Sequence, residues 1–181
     1  MTSKRYTMAE AYQVTAQGTQ HIEAFLGRKV TTQALRNVED DPDYRAQDID
    51  LLWTRQQGGA IKTTSIEIKV DRYFHTGNYF FETLSNVAKQ TPGCFLYSKA
   101  DLLFYYFLDQ ELHILNLPTV RAWFIQHKSS FKSVRTSTPI GDDHYETEGC
   151  LVPRQQLQSA LAQHVQRYRA ELNGRGFVRV R

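Results

Sequence analysis

Two strand-like segments joined by a glycine pair constrain the fold of this chain more than any other feature. Residues 47–53 and 64–71 each alternate polar with apolar side chains, which is the period of a half-buried strand. Between them lies Gly58-Gly59, and a glycine pair in this position is typical of a two-residue hairpin turn. The sequence therefore predicts an antiparallel hairpin whose apolar side chains lie on one face and whose charges lie on the other.

The turn also sets the register of the hairpin. If the glycine pair forms the loop, Asp50 lies opposite Glu67, and Asp48 lies opposite Lys69. Opposed Cβ atoms are roughly 4.5–5.5 Å apart, so two carboxylates placed this way repel unless a cation compensates them. A Mg²⁺ or Mn²⁺ ion, with Lys69 beside it, would remove that penalty, and these groups suit phosphodiester cleavage. The alternative is a surface hairpin that carries its charges on a solvated face.

The composition predicts one globular domain, residues 1–181, and argues against several classes of protein. No apolar segment follows the first residues, and the longest apolar run, 102–108, is too short to span a bilayer. We therefore expect a cytoplasmic protein with no membrane partner, and we interpret Cys94 and Cys150 as reduced core thiols. A glycine-rich phosphate loop and the His spacing of a zinc site are both missing from the sequence.

The net charge is +3, but the charges are unevenly distributed. Acidic residues prevail in 39–50 and 101–111, whereas 121–135 and 154–181 are rich in Lys and Arg. Basic surface beside an acidic pocket suits a polyanionic substrate held over a metal ion. The alternative is a solvated basic helix followed by a basic tail.

Elsewhere, the pattern predicts a sheet flanked by helices, of the α/β or α+β class. The turn residues and apolar periods place boundaries along the whole chain. They predict helices at 8–26, from Pro118 and at 154–172, strands at 30–38, 79–82, 95–97, 101–108 and 111–117, a loop at 131–143 and a basic, irregular tail.

An Asp at a short alternating strand, followed by Glu-x-Lys on the next strand, resembles the PD-(D/E)xK, or restriction-endonuclease-like, nuclease superfamily. Here these residues are Asp50 and Glu67-Ile68-Lys69. Further segments of 10–110 resemble phage, bacterial and Holliday-junction-resolvase-like members: a Glu-bearing first helix, a Thr-Gly-Asn loop with an aromatic-Glu strand, and Ser-x-Ala-Asp before an aromatic strand. They correspond to Glu23, Thr76-Gly77-Asn78 with Phe81-Glu82, and Ser98-Lys99-Ala100-Asp101.

The resemblance implies a mixed central β-sheet flanked by α-helices, with a nuclease core at about 10–117 and C-terminal helices and a basic tail at 118–181. It implies Mg²⁺ or Mn²⁺ bound by Asp50, Glu67 and the Ile68 carbonyl, with Lys69 orienting water and Glu23 as an additional acid. One departure is that Ile49, rather than Pro or Gly, precedes Asp50, which leaves Asp48 as a rival ligand.

The activity that the resemblance implies is metal-dependent endo- or exonucleolytic hydrolysis of DNA, and such nucleases are often homodimers. The alternative is a non-catalytic nucleic-acid-binding or assembly protein with the same fold. A bacterial or phage origin fits either function.

Overall fold

A computed structural model describes residues 7–140, 143–171 and 176–180 of the chain. It contains five α-helices in these ranges and three short 3₁₀ turns, at Phe74–Thr76, Lys128–Ser130 and Ala162–His164. None of the helices in these described ranges is both long and apolar enough to cross a membrane. The α-helices are α1 (Met8–Gly27), α2 (Pro42–Arg45), α3 (Cys94–Tyr97), α4 (Leu117–His127) and α5 (Arg154–Ala160).

The described strands form two sheets, and the fold is of the α+β class. A seven-stranded mixed sheet has the order β1-β2-β3-β6-β7-β10-β11, and its one parallel pair is β3 with β6. A four-stranded antiparallel sheet has the order β5-β4-β9-β8. The strands are β1 (Thr32–Asn37), β2 (Leu51–Gln57), β3 (Ala60–Asp71), β4 (Asn78–Asn86), β5 (Thr91–Pro92), β6 (Leu102–Phe107), β7 (Glu111–Asn116), β8 (Lys132–Ile140), β9 (Asp143–Pro153), β10 (Val165–Ala170) and β11 (Phe177–Arg179).

Helix α1 confirms the predicted first helix and packs against β3. A capping box between Thr7 and Glu10 begins the helix, since each side chain accepts a hydrogen bond from the other residue's backbone N–H. Gly18 lies in the middle of the helix because β3 comes too close for a side chain. A Cβ at this position would lie 2.5 Å from Cγ2 of Val70. The close approach fixes the helix over the strand that carries Glu67 and Lys69.

Strand β6 is buried on both faces, as the apolar run at 101–108 predicts. Phe104 and Tyr106 face a core that also contains residues of α1, whereas Tyr105 and Phe107 face a second core formed with β4, β9 and α4. Strand β3 lies beside β6 in parallel, with Lys69 paired with Tyr105. The alternation therefore places the polar side chains of β3 toward the four-stranded sheet and its apolar side chains toward α1.

Three predicted elements are wrong. The predicted helix at 154–172 ends at Ala160, and β10 follows, paired with β7; residue 172 lies outside the described ranges. The predicted loop at 131–143 contains β8, an edge strand that tolerates Pro139 because its outer side needs no hydrogen-bond partner. Residues 95–97 belong to the helical turn α3 rather than to a strand.

The prediction of an irregular basic tail is also wrong for residues 177–179. They form β11 and pair with β10, with Ala170 opposite Phe177. Residues 173–175 and 181, which follow the predicted helix, lie outside the described ranges. Strand β11 therefore extends the large sheet beyond β10 and forms one of its edges.

Candidate functional site

The predicted register of the hairpin is confirmed along the whole ladder between β2 and β3. Gln57 pairs with Ala60 at the turn, and Leu51 pairs with Ile66 at the other end. Both glycines of the loop have positive φ angles, 58° and 83°, which glycine adopts without a steric penalty. The regular pairing stops at Leu51, so Asp50, the residue that precedes it in the sequence, lies just outside the ladder.

Asp50 is bound to β3 by two hydrogen bonds. Its N–H donates to the Ile66 carbonyl at 2.9 Å, and its Oδ2 accepts from the Ile68 N–H at 2.7 Å. Its carboxyl group also interacts with that of Glu67, as the predicted register requires. Burial, followed by the charges of Glu39 and Asp48, outweighs the Ile68 hydrogen bond and raises the pKa of Asp50 to about 7.

Asp48 does not continue the strand, so its predicted position opposite Lys69 is wrong. Its φ of 56° places it in a left-handed turn before β2 begins. The Ser98 hydroxyl donates to its carbonyl at 2.8 Å, and the Tyr97 hydroxyl lies 3.4 Å from its Oδ1. Its Oδ2 is buried and has no hydrogen-bond partner among the described residues. Burial raises the pKa of Asp48.

Glu67 lies at the centre of this group and is only 7% exposed. Its Oε2 is the second buried carboxylate oxygen without a hydrogen-bond partner in the described part of the chain. Burial, and then the charges of Asp50 and Asp48, raise its pKa well above the ordinary value. An ionised Glu67 has the charge of Lys69 nearby but no hydrogen bond to its Oε2, so a bound cation would stabilise the charged form.

Lys69 follows Glu67 on the same face of β3. Burial acts to lower its pKa, but electrostatic interactions with Cys94, Glu82, Asp71 and Glu67 together raise it. The ammonium group is therefore held in the charged form at neutral pH. The predicted proximity of the lysine to Glu67 is confirmed by this interaction, and its proximity to Asp50 stays a prediction.

Cys94 was interpreted from the sequence as a core thiol, but it lies at this site. One ligand atom each from Asp48, Glu67 and Cys94 lies within 4.8 Å of the other two. Gly93 makes this placement feasible, since a Cβ there would lie 2.5 Å from the Glu82 backbone. The glycine N–H donates to the Thr83 carbonyl at 2.9 Å, so α3 lies directly against β4.

Two residues near the site were not predicted as functional residues, Cys94 and Glu82. Glu82 belongs to the aromatic-Glu segment, and its charge acts on both Lys69 and Cys94. The sequence around Cys94 does not indicate a functional site, because a single cysteine after a glycine does not define a set of metal ligands. The two cysteines are unpaired, and Cys150 is buried in β9, as expected for a core thiol.

The other predicted site residues have separate contacts. The Glu23 carboxylate accepts a hydrogen bond from the Asn37 side chain at 3.0 Å and does not belong to the Asp48, Glu67 and Cys94 group. Asn37 pairs with Leu51, so Glu23 reaches the edge of the hairpin rather than its acidic centre. Ile68 is buried, and its N–H positions Asp50; the role of its carbonyl as a ligand stays a prediction.

The Ser98-Lys99-Ala100-Asp101 segment holds the acidic turn in place. Ser98 donates to Asp48, and the Lys99 N–H donates to the Gln47 carbonyl at 2.9 Å. The Asp101 carboxylate accepts from both the N–H and the hydroxyl of Ser65 on β3. The segment therefore ties the turn before β2 to β3 and positions the carboxylates without contacting them.

A cleft of about 660 Å³ lies next to the acidic centre. Lys69 and Glu82 line both this cleft and a smaller cavity that reaches Glu67 and Cys94. The remaining lining is rich in hydroxyl groups, which can donate hydrogen bonds to phosphate oxygens. These hydroxyl-bearing residues are Thr15, Tyr73, Thr76, Tyr79, Thr136, Ser137, Thr138, Tyr145 and Thr147.

Several arginines of the basic stretches hold the fold rather than form a free basic surface. Arg121 donates to the carbonyls of Phe95 and Ser98, and Arg154 donates to the Phe74 carbonyl. Arg167 makes an ion pair with the Glu111 carboxylate at 3.0 Å, which in turn contacts His113. The clustering of arginine in the sequence therefore overstates the positive charge that remains available to a polyanion.

Comparisons of this chain with protein-family models, with curated proteins and with solved structures found no match.

Proposed function

We propose that this protein is a Mg²⁺- or Mn²⁺-dependent nuclease that hydrolyses DNA phosphodiester bonds on a restriction-endonuclease-like fold. One observation carries the proposal: two buried carboxylate oxygens, Oδ2 of Asp48 and Oε2 of Glu67, have no hydrogen-bond partner in the described structure. Both lie close to a charged lysine. Unpaired buried anions are costly, and a hard divalent cation is the ligand that compensates them.

In the proposed mechanism, the acidic residues bind the metal and Lys69 acts on the attacking water and the phosphate. Glu67 would hold the metal together with Asp50 or Asp48, and the Ile68 carbonyl is a further ligand from the same strand. When bound, the ion lowers the pKa of water and stabilises negative charge on the phosphate. Lys69 contributes a positive charge at the same face of β3, where it orients the attacking water and offsets the charge that develops on the phosphate oxygens.

The adjacent cleft supports a phosphate-containing substrate. Lys69 lies where the cleft meets the acidic centre, so a phosphodiester bound along the hydroxyl-lined wall would approach the lysine first. Thr76 and Tyr73 follow β3 closely in sequence and belong to this wall. DNA is the polyanion that the resemblance implies, and a homodimer would present two such centres to two strands.

A nuclease assay with a matched pair of lysine variants tests the proposal. Single-stranded, duplex and branched DNA are incubated with Mg²⁺, Mn²⁺ or a chelator. Lys69→Ala should lower the rate by about 10²–10³-fold, the range for losing one transition-state donor, while sparing most of the DNA binding. Lys62→Ala, on the exposed outer part of the same strand, should cleave at the wild-type rate.

The outcomes separate the two classes of protein. Metal-dependent cleavage that is lost in Lys69→Ala and retained in Lys62→Ala supports the nuclease. DNA binding without cleavage under any metal condition supports the non-catalytic nucleic-acid-binding protein. Cleavage by Lys69→Ala at the wild-type rate refutes the role assigned to the lysine.

A further inference from the structure

We propose that Asp48, Glu67 and Cys94 form a site for a thiophilic divalent cation of the Zn²⁺ and Cd²⁺ class. This ligand set differs from the all-oxygen set of the proposed nuclease centre because it contains the Cys94 sulfur. The two sets share Glu67, and they also share Asp48 if that residue rather than Asp50 holds the nuclease metal. The site itself does not require the chain to be a nuclease. It requires only the three side chains that the fold brings together within 4.8 Å.

The geometry is close to that of a three-ligand zinc site. Zinc binds sulfur at about 2.3 Å and carboxylate oxygen at about 2.0–2.2 Å, so its ligand atoms are separated by roughly 3.5 Å. The ligand atoms of the three residues lie within 4.8 Å of one another, so shifts of about 1 Å would bring them to that separation. Three protein ligands leave a fourth position open for water.

The second line of evidence is the pair of unpaired oxygens. Glu67 is 7% exposed, and its Oε2 has no hydrogen-bond partner among the described residues, as is also true of Oδ2 of Asp48. A thiol is a weak hydrogen-bond donor and cannot compensate two buried anions. A cation bound between the two carboxylates and the sulfur would compensate both.

Sulfur decides which cation binds most tightly. Mg²⁺ prefers hard oxygen ligands, whereas thiolate selects softer ions such as Zn²⁺ and Cd²⁺. When the metal–sulfur bond forms, the Cys94 S–H bond breaks and its proton passes to solvent. With Asp48, Glu67 and the Cys94 thiolate all ionised on the metal, their three negative charges are balanced by the divalent ion together with the positive charge of Lys69.

A consequence for activity rests on the proposed function. Because Glu67 belongs to both ligand sets, the thiophilic ion would exclude Mg²⁺ or Mn²⁺ from the nuclease centre and inhibit cleavage. Cys94 would then be the residue through which such an ion regulates the site. Binding and inhibition are separate claims, and the binding experiment below involves no DNA.

The experiment is a Cd²⁺ titration of the reduced, tag-free full-length chain, followed by the ultraviolet charge-transfer absorbance of the cadmium–thiolate bond. We expect one equivalent of Cd²⁺ to produce the signal in the wild-type protein. The signal should be lost in Cys94→Ser and retained in Cys150→Ser, which removes the other of the two cysteines. Circular dichroism of each variant reports whether it is folded.

Two carboxylate variants decide whether the site is built from three residues or from the thiol alone. Asp48→Asn and Glu67→Gln keep Cys94 and should each weaken Cd²⁺ binding by about tenfold or more, since the loss of even an outer-shell partner has effects of that size. These variants also decide the result if Cys94→Ser does not fold. Wild-type Cd²⁺ affinity in both carboxylate variants, or a signal that survives in folded Cys94→Ser, overturns the proposal.

The result is independent of the nuclease assay. Cd²⁺ binding with the expected variant pattern, in a protein that cleaves no DNA, supports the site and removes the proposed function. DNA cleavage in a protein that does not bind Cd²⁺ at Cys94 supports the proposed function and refutes the Cd²⁺ site.

Discussion

Replacing Asp50 with Asn should stabilise the metal-free protein, and the gain should increase with pH. Asn is nearly the same shape as a protonated Asp, and its carbonyl oxygen can still accept the hydrogen bond from the Ile68 N–H. The substitution therefore removes the buried negative charge and keeps the contact that links the start of β2 to β3. The effect isolates the electrostatic cost of the acidic centre.

The magnitude follows from the raised pKa. The ordinary value of 3.8 rises to about 7 in the folded protein because of burial first and of the Glu39 and Asp48 charges next. The folded carboxyl group binds its proton more tightly than the unfolded one, so stability is greatest below about pH 3.8 and is lost as the pH rises through about 7. At about 1.4 kcal/mol per unit, the total loss is roughly 4 kcal/mol, of which about 2–3 kcal/mol falls between pH 5 and pH 8.

The assay is urea unfolding with a chelator present, for the wild type and for Asp50→Asn at several pH values. The difference in unfolding free energy between the two proteins is the measured quantity, because it cancels the titration of groups that do not interact with Asp50. The exposed Asp40→Asn variant is the control and should follow the wild-type pH dependence. A difference that is constant from pH 5 to pH 8, or one that favours the wild type at pH 8, refutes the reasoning.

Adding Mn²⁺ tests whether the cost of the buried charge is connected with metal binding. A ligand at 100 times its dissociation constant stabilises the folded state by about 2.7 kcal/mol. If Asp50 is a ligand, the wild type gains this stabilisation and Asp50→Asn gains less, so the advantage of the variant at pH 8 shrinks by a similar amount. Equal stabilisation of the two proteins by Mn²⁺ excludes Asp50 from the metal site.

Two further predictions concern the fold around the centre. Gly18→Ala should destabilise the protein by up to about 2 kcal/mol, because overpacking against Val70 costs about 1–3 kcal/mol and the higher helix propensity of Ala offsets only about 1 kcal/mol of it. In a Val70→Ala background the same substitution should stabilise the protein. Gly27→Ala is the control, since a Cβ there meets no atom within 4 Å. Glu111→Gln should lower the free energy of unfolding by about 3 kcal/mol at pH 7, because the hydrogen bond from His113 and the contact with Arg167 lower the pKa of Glu111 to about 2. This loss should become smaller as the pH falls from 4.5 toward 2, where the wild-type carboxylate is itself protonated. Urea unfolding measures both effects, and unchanged stability in the first variant or a pH-independent loss in the second would contradict them.

The central hairpin could be predicted from the sequence because its information is local. The glycine pair sets the turn, and the alternation of residues 64–71 predicts which face each of these side chains of β3 occupies. Both the ladder and the placement of Glu67 and Lys69 on one face follow from these two rules. The position of Asp48 could not be predicted from these rules, because its left-handed backbone breaks the alternation just before β2 begins.

The C-terminal part could not be predicted in the same way because its structure depends on distant partners. Leu157, Leu161 and Val165 fit the spacing of a helix, and that pattern favoured a helix through residue 172. In the structure, β7 provides an open edge at which Val165 pairs with Leu115. The backbone hydrogen bonds gained at that edge outweigh a weak helical preference.

The position of Cys94 shows the same limit at the functional site. Its distance from Glu67 along the sequence is 27 residues, and the intervening β4 and β5 belong to the second sheet. Contacts of Gly93 with the Glu82 backbone and with the Thr83 carbonyl bring α3 back against β4, beside the polar face of β3. No period or spacing in a single sequence encodes such a contact.

The structure also assigns different work to the two rival aspartates. Asp50 already uses its Oδ2 to accept the Ile68 N–H, so its carboxylate joins the start of β2 to β3 where the regular ladder has stopped. Asp48 keeps its Oδ2 unpaired, and Ser98 and Tyr97 hold the turn that aims it toward Glu67 and Cys94. A carboxylate that is positioned by neighbours but not satisfied by them is the better ligand, because binding a cation costs it no existing hydrogen bond. For the proposed metal, this geometry favours Asp48 over Asp50 as the partner of Glu67, and it predicts that Asp48→Asn weakens Mn²⁺ binding more than Asp50→Asn does.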